Sequence, residues 1–417
     1  MLAEMAGYLQ IDPWPPAPDL LFWGALMLVG GGLLGEAVFR RLGLPRIVGY
    51  SAAGMAVALA GQGLDAGRLA GGVRLVVDLA LALLLFELGS RVNLRWLRAN
   101  PALLWTSAAE SLASFVAIFV ALRWLGQPVN VALTLATMLV AASAAVVGRV
   151  ASELRSAGQV TERMIVLTAL NTLYAVLLHK LVTGWLHLDE AGNWIQGITQ
   201  PVYTFVGSVA LAIALAKLVA WVARRLELRD ENSVLLLLGL VVLALTTAQL
   251  FNLSTLLVPL MAGVMLRNTT ERPWVWPRHF GTAGGVLVLM LFVIVGAAWS
   301  VEAVMLGAGA AALVLAARAA AKALAVVGLA RWSGIETRQG LALALALTPI
   351  SGTALVLLAD LHRSHPDFAL GIAPIVLSAI AFMELLGPIA VQWGLRLAGE
   401  TQPRHRPAAA PAPGGTV

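Results

Sequence analysis

The chain has 417 residues, of which 59% are apolar and only 12% are charged, and its mean hydropathy is +0.85. This apolar character extends over the whole length, which excludes a soluble globular protein and indicates a membrane protein with many spans. The formal net charge is +6, but the basic residues occur singly or in pairs and form no block typical of nucleic-acid binding. The absence of cysteine excludes disulfides, thiolate metal sites and cysteine nucleophiles.

Apolar runs of about twenty residues recur from Leu20 to Leu397, and each is long enough to cross a hydrocarbon layer of about 30 Å as a helix. They predict an all-α polytopic membrane protein with about 13 transmembrane helices. The predicted spans are 20–41, 45–60, 69–90, 100–122, 128–150, 163–186, 199–223, 232–251, 253–267, 281–300, 303–330, 337–359 and 367–395. The N-terminus has acids and prolines where a signal peptide has a basic region, so we expect the first span to be retained.

These spans divide the chain into three parts. Residues 1–18 are predicted to form an extracytoplasmic segment, residues 19–398 a transmembrane transporter domain, and residues 399–417 a disordered, Pro/Ala-rich cytoplasmic tail. With the N-terminus outside and the C-terminus inside, the inside loops contain most of the 28 basic residues, as cytoplasmic loops usually do. The preference for Arg and Ala, with only three lysines, is typical of a GC-rich genome and favours a bacterial cytoplasmic (inner) membrane.

The second half of the chain repeats the first. Leu44 to Met55 aligns with Leu253 to Met265, so that Gly54 corresponds to Gly263, and LLFELG, ending at Gly89, answers LMLFVIVG. The first six spans, about 20–186, therefore resemble the last six, about 232–395, with a linking helix at about 199–223. An odd linking span inverts the second copy, so we predict two inverted six-helix repeats, which is a transporter architecture.

In such transporters the site lies near the middle of the bilayer, where interrupted helices present their ends to the substrate. The segment AASAAV in the first half answers TPISGTA in the second. Both contain residues that interrupt helices, and their matched positions predict two real breaks. The predicted breaks lie at Ser143 and at Thr348, Pro349, Ser351 and Gly352.

Several segments carry a resemblance to a known family, among them GEAVFRRLGLPRIVGYSAAGM, LLLFELGSRVNLRWL and IVLSAIAFMELLGPIAVQWGLRLAGE. They resemble the monovalent cation:proton antiporter-2 family, which includes sodium/proton exchangers and Kef-type proteins. The resemblance covers about residues 19–400. It implies a sodium/proton antiporter-like fold with two discontinuous crossed helices, a dimerisation domain and a core domain. It also implies elevator-like alternating access and a homodimer.

In this family the sixth span carries the aspartate that binds the cation or the proton, but Asn171 and Thr172 stand at the matching positions here. An amide and a hydroxyl do not titrate near neutral pH. Three interpretations are open. The two side chains could only hydrogen-bond a neighbouring helix; they could coordinate the ion while another group carries the proton; or the site could be remodelled for another substrate.

The second interpretation requires an acid elsewhere. Glu110 lies about ten residues into the fourth span, where an ionised carboxylate costs about 2.5–3.5 kcal/mol. In the alignment of the two repeats, Glu110 corresponds to Arg318. We therefore predict that Glu110 pairs with Arg318 or with Lys322, which lies on the same helix face. The resemblance favours Lys322, and a desolvated lysine can release its proton whereas an arginine cannot. The alternative is a static bridge between Glu110 and Arg318. Glu384 is expected toward the end of its span.

The leading prediction is a secondary transporter that exchanges Na⁺ or K⁺ for protons, with the lipid bilayer and a second copy of the chain as its partners. Because the site is short of acids and contains Arg318 and Lys322, a carrier of a small anion is the second hypothesis. A transport-inactive membrane sensor or scaffold is the third. The sequence has no catalytic constellation, phosphate loop or histidine cluster, so we expect no enzyme activity, no cofactor and no metal beyond the transported cation.

Overall fold

The computed structural model describes residues 20–59, 72–191, 194–225, 231–269, 280–298, 300–350 and 352–402. The predicted N-terminal segment 1–18, residues 403–417 of the predicted tail, and Ser351 lie outside the described residues.

Helices make up almost all of the described chain, and no strand occurs within it. They are α1 (Leu20–Ala37, continued by a π-helical turn, Val38–Leu42), α2 (Arg46–Val57), α3 (Gly72–Arg91), α4 (Leu94–Ala99), α5 (Pro101–Trp124), α6 (Val129–Leu139), α7 (Ala144–Glu153), α8 (Gln159–Ala191), α9 (Trp194–Arg225), α10 (Glu231–Leu250), α11 (Leu257–Thr269), α12 (Phe280–Ala297), α13 (Val301–Leu329), α14 (Thr337–Ala346), α15 (Gly352–Ser364) and α16 (Pro366–Ala398).

Seven helical segments of the described chain are long and apolar enough to cross a membrane. The chain is therefore an all-helical multi-pass membrane protein, as the composition predicts. Other apolar helices, including those in α10 and α12, are shorter. The total of thirteen crossings stays a prediction for that reason.

The helices pack in two groups. In the first, which we call the support group, α2 packs on α1 and α12, and α11 packs on α3 and α9. In the second, which we call the site group because it contains the predicted site residues, α5 packs on α13, and α16 packs on α13, α14 and α15. The groups meet where α8 packs on α9, α16 on α2 and α7 on α3.

Glycines bring two helix pairs of the support group into close contact. A β-carbon on Gly54 of α2 would collide with the carbonyl oxygen of Val293 in α12. Similarly, a β-carbon on Gly263 of α11 would collide with the carbonyl oxygen of Phe86 in α3. Only glycine permits such an approach between helix backbones. Since Gly54 aligns with Gly263, the same kind of contact occurs twice with the two halves of the chain exchanged.

Two segments of the site group are interrupted. α6 ends at Leu139 and α7 begins at Ala144, with Ser143 as its N-cap and the Ser143 Oγ accepting a hydrogen bond from the Val146 amide at 3.3 Å. Serine is a preferred N-cap residue because its oxygen satisfies an amide that lacks a partner within the helix.

The second interruption separates α14, which ends at Ala346, from α15, which begins at Gly352. Thr348 and Pro349 lie in it, and proline cannot supply the amide that a continuous helix needs. The Ser143 amide donates to the Pro349 carbonyl at 2.8 Å. The two interruptions, 140–143 and 347–350, therefore touch, and we call this contact the crossing.

Glu400, the second residue after α16, reaches the start of α8. The Glu400 carboxylate accepts hydrogen bonds from the amides of Val160 at 2.8 Å and Thr161 at 2.7 Å, and from the Thr161 hydroxyl at 2.7 Å. A carboxylate at this place satisfies the free amides of a helix N-terminus and its positive dipole end. We expected Glu400 in the disordered tail, but it caps the N-terminal end of α8.

Candidate functional site

Arg318 joins the two interrupted segments. Its side chain is fully buried in α13 and donates to the carbonyl oxygens of Thr348 at 2.6 Å, Ala141 at 3.0 Å and Leu347 at 3.4 Å. The last carbonyls of a helix have no partner within it and carry the negative end of its dipole. Arg318 therefore supplies donors and positive charge to the ends of both α6 and α14.

Glu110 and Lys322 form an ion pair between α5 and α13. The Lys322 Nζ contacts the Glu110 Oε2, and the two side chains are 1% and 0% exposed respectively. The sequence left Arg318 and Lys322 open as partners of Glu110, and the structure places Lys322 against it. The static bridge between Glu110 and Arg318 is not formed, because the described hydrogen bonds of Arg318 go to backbone carbonyls.

Asn171 is connected to the same ion pair through a serine. The Ser111 hydroxyl donates to Asn171 Oδ1 at 2.8 Å and lies 3.5 Å from Glu110 Oε1. Asn171 is fully buried, and its Nδ2 has no hydrogen-bond partner among the described residues. A buried donor without a partner is costly and is expected to bind water or another acceptor. The Asn171 Nδ2 is therefore a buried donor at the site that lacks an acceptor among the described residues.

Thr172 makes a contact of a different kind. It is fully buried, and its hydroxyl donates to the Thr168 carbonyl of its own helix at 2.9 Å. Its helix, α8, packs against all four halves of the interrupted segments, α6, α7, α14 and α15. Thr172 therefore lies beside the interrupted segments, where the sequence predicts the ion site. Its hydroxyl proton is already donated to a carbonyl of its own helix.

A polar cavity of about 460 Å³ opens between the two groups, and its walls include Gln200 of α9 and Gln249 of α10. Lys180 and Asp360 also line it, and their Nζ and Oδ2 atoms lie 2.6 Å apart. Val176, another lining residue, is four positions after Thr172, or about 6 Å along the helix axis. The cavity thus approaches Thr172 to within about one helical turn.

At the opposite end of the two groups, polar contacts hold them together. The Glu153 carboxylate accepts from the Arg46 backbone amide at 3.3 Å and from its Nη1 at 3.1 Å. Gln392 of α16 donates to the Gly43 carbonyl at 2.8 Å. A smaller cavity of about 180 Å³, lined by Glu87 and Ser152, lies at this end. A third cavity, of about 650 Å³, is lined by Gln159 at the start of α8 and by Arg331.

Sequence reasoning missed two members of this region. Ser111 gave no signal, because serine in a membrane helix usually bonds to its own backbone. Glu384 was expected toward the end of its span, but α16 extends from Pro366 to Ala398 and places Glu384 near its middle, fully buried. The Ser51 hydroxyl donates to its Oε2 at 2.7 Å. The predicted span 367–395 nearly coincides with α16, so its bounds already indicated this position.

Three comparisons relate the chain to known proteins. The family described as "Sodium/hydrogen exchanger, transmembrane" matches residues 25–396. A sequence search among curated proteins finds no significant match.

Two solved structures of the sodium proton antiporter MjNhaP1 from Methanocaldococcus jannaschii are similar to the fold. The one at pH 8 is 16% identical, has a TM-score of 0.64, and the match covers 90% of this chain and 95% of that one. The one from an electron-microscopy map is 16% identical, has a TM-score of 0.73, and the match covers 93% and 100%. At this identity the likeness establishes the fold, which is that of a sodium/proton antiporter.

Proposed function

The chain belongs to the sodium/hydrogen exchanger family of cation:proton antiporters, and we propose that it exchanges Na⁺ or K⁺ for protons by alternating access and has no enzyme activity. The observation that carries this proposal is the crossing, where Ser143 contacts Pro349 and Arg318 binds the ends of both helices. Broken helices at mid-membrane depth expose the polar helix ends that an ion site needs.

We assign the proton path to Lys322 and Glu110. A buried lysine paired with one carboxylate can give up its proton when a cation offsets that carboxylate, and it regains the proton when the cation leaves. Asn171, bonded to Ser111 beside Glu110, keeps the pair in a polar setting. Arg318 stays charged and positions the crossing. Thr172 keeps its hydroxyl oxygen available to a cation, because its proton already points to Thr168.

The contacts argue against the small-anion alternative. An anion requires a cationic side chain with free donors at the site. Lys322 faces Glu110, and the Nη1 and Nη2 atoms of Arg318 donate to carbonyl oxygens, so each charge already has acceptors and only the Arg318 Nε lacks a partner among the described residues. The flux experiment described below distinguishes an active antiporter from a transport-inactive sensor or scaffold.

Two further parts of the proposal concern the whole chain. The glycine contacts made by Gly54 and Gly263 support two inverted repeats, because a pseudo-twofold axis requires each contact to occur twice. The positive-inside rule supports an outside N-terminus and an inside C-terminus in a bacterial cytoplasmic membrane. A homodimer is proposed from the family resemblance.

Proton flux in proteoliposomes tests the proposed exchange. Vesicles that hold an internal pH-sensitive dye receive Na⁺, K⁺, Li⁺ or choline salts. We expect cation-dependent proton movement from the wild type and its loss, by at least about tenfold, in Lys322→Ala, because each factor of ten needs only about 1.4 kcal/mol. Lys217→Ala, which changes an exposed lysine of α9, is the matched control and should behave as the wild type.

Two outcomes would overturn parts of this proposal. If no cation moves protons at any pH, the protein is not an active antiporter. If Lys322→Ala retains the full flux, exchange occurs but Lys322 does not carry the proton.

A further inference from the structure

The Glu110 carboxylate has two oxygens, and its ion pair with Lys322 uses only one of them. The Lys322 Nζ contacts Oε2, whereas the contact described for Oε1 is a long one, with the Ser111 hydroxyl at 3.5 Å. Glu110 and Ser111 are both buried, at 0% and 5% exposed. The free side of the carboxylate is therefore bordered by a second oxygen, inside the protein.

The proton of the Ser111 hydroxyl points away from Glu110. A hydroxyl has one proton, and Asn171 Oδ1, at 2.8 Å, is a much closer acceptor than Glu110 Oε1 at 3.5 Å. The Ser111 oxygen and Glu110 Oε1 then face each other with lone pairs and without a proton between them. Two such oxygens repel each other unless a positive group lies between them. The gap between them is therefore suited to a cation.

The spacing of these two oxygens fits a small cation. Ca²⁺, whose radius is close to that of Na⁺, binds oxygen ligands at about 2.3–2.6 Å. Two ligands at right angles around such an ion lie about 3.3–3.7 Å apart. The Ser111 Oγ and Glu110 Oε1 lie 3.5 Å apart, within this range. K⁺ is larger and requires its ligands to lie further apart, so the spacing favours Na⁺.

Two more hydroxyls of α5 lie beside Glu110 and lack a partner among the described residues. Ser107 is three positions before Glu110 and Ser114 four positions after it, so both share its helix face. Each is 0% exposed, and neither Oγ has a hydrogen-bond partner in the described part of the chain. Thr106, in contrast, donates to the Ala102 carbonyl of its own helix at 2.8 Å. Buried polar atoms without a partner are expected to contact water or an ion.

We infer that Glu110 Oε1 and Ser111 Oγ are ligands of the transported cation, and that this site prefers Na⁺ to K⁺. The inference rests on the proposed function, because it names the place where the cation offsets the charge of Glu110. The cation binds on the free side of the carboxylate, while Lys322 on the other side releases a proton to water and keeps the electron pair on Nζ. One positive charge arrives as another leaves, so the net charge of the site stays the same.

Thermal unfolding in detergent measures cation binding without transport. Na⁺ should raise the Tm of the wild type relative to choline, because a ligand that binds only the folded state stabilises it. In Ser111→Ala, the Na⁺ concentration that gives half of this rise should be at least about tenfold higher. Thr106→Val, which removes a buried hydroxyl that bonds to its own helix, is the matched control and should respond as the wild type. No rise in the wild type, or an unchanged Na⁺ requirement in Ser111→Ala, overturns the inference.

The selectivity of the wild type provides a second test if Ser111→Ala does not fold. Because the two oxygens are spaced for a small ion, half of the rise in Tm should require at least about tenfold less Na⁺ than K⁺. Equal requirements for the two ions, or a lower one for K⁺, would contradict the inferred site.

Proton flux in proteoliposomes separates a failure of the inference from a failure of the proposed function. In Ser111→Ala the apparent KM for Na⁺ should rise at least about tenfold, while the maximal rate stays within about threefold of the wild type. Flux with the same KM in both proteins overturns the inference alone. If Na⁺ raises the Tm of the wild type but drives no proton flux, the proposed exchange fails and the cation site stands.

Discussion

At the scale of single residues, Arg318 and Lys322 show that two basic side chains four positions apart on α13 serve different purposes. The planar guanidinium of Arg318 binds carbonyl oxygens from two interrupted segments at once, which a single ammonium group cannot do in the same geometry. Lys322 faces one carboxylate, for which an ammonium group is sufficient. Arg318, whose charge is permanent, stabilises the crossing. Lys322, which can lose its charge by releasing a proton, lies in the proposed proton path.

Arg318→Lys is expected to destabilise the protein and to abolish exchange. A lysine leaves at least one buried carbonyl without a donor, and each such loss costs about 1–3 kcal/mol. Thermal unfolding in detergent, followed by tryptophan fluorescence, should show a lower Tm for Arg318→Lys than for Arg331→Lys, which changes an exposed arginine. Equal Tm values and full exchange in both variants would show that Arg318 does not support the crossing.

The ion pair could be predicted from the sequence, but the contacts of Arg318 could not. Basic residues are so rare inside the predicted spans that Glu110 had few possible partners, and the repeat offset pointed to α13. The direction in which the carbonyl groups at a helix end point depends on how the two interruptions cross, and the residue types do not indicate that direction. For the same reason, nothing marked Ser111 as a link between Asn171 and Glu110.

At the scale of helices, the glycine contacts explain how α2 and α12, and α3 and α11, pack without intervening side chains. The close backbone approach replaces the hydrophobic effect, which does not drive helices together in lipid. Interruptions near Ser143 and Pro349 were expected because the two segments occupy matched places in the two halves, although Ser351, the counterpart of Ser143, lies outside the described residues.

Gly54→Ala and Gly263→Ala should each impair folding, since the added carbon would meet a backbone carbonyl that cannot move aside. We expect little monodisperse protein on size-exclusion chromatography from either variant. Gly309→Ala in α13, where no atom lies within 4 Å of the added carbon, should yield normal protein. Normal yields from all three variants would mean that these contacts do not determine the packing.

At the scale of the whole molecule, polar contacts such as Arg46 with Glu153 hold the two helix groups together at one end, and a cavity of about 460 Å³ lies between them at the end of Lys180. Composition and apolar runs were sufficient to predict a helical membrane protein, and the internal repeat and the family resemblance pointed to a transporter. None of them could predict where the cavity between the groups would lie, because its position depends on how two groups of helices meet and not on the pattern within one helix.

The cavity lined by Lys180 should face the outside, as the positive-inside rule predicts for that end of the protein. Because the chain contains no cysteine, a single introduced cysteine can be labelled without a background reaction. In intact cells, a membrane-impermeant maleimide should label Thr183→Cys, which lines the same cavity as Lys180. It should label Ser152→Cys, which lines the cavity of about 180 Å³ at the opposite end, only after permeabilisation. The reverse pattern would show that the predicted orientation is wrong.

The hydrogen bonds of Glu400 have a practical consequence for handling the protein. The helix that contains Asn171 and Thr172 begins at amides that this one carboxylate satisfies from the far end of the sequence. A shortened version of the gene that stops before Glu400 would therefore alter the start of that helix, although the deleted residues lie far from the site. A purification tag belongs beyond Gln402, where it leaves this contact intact.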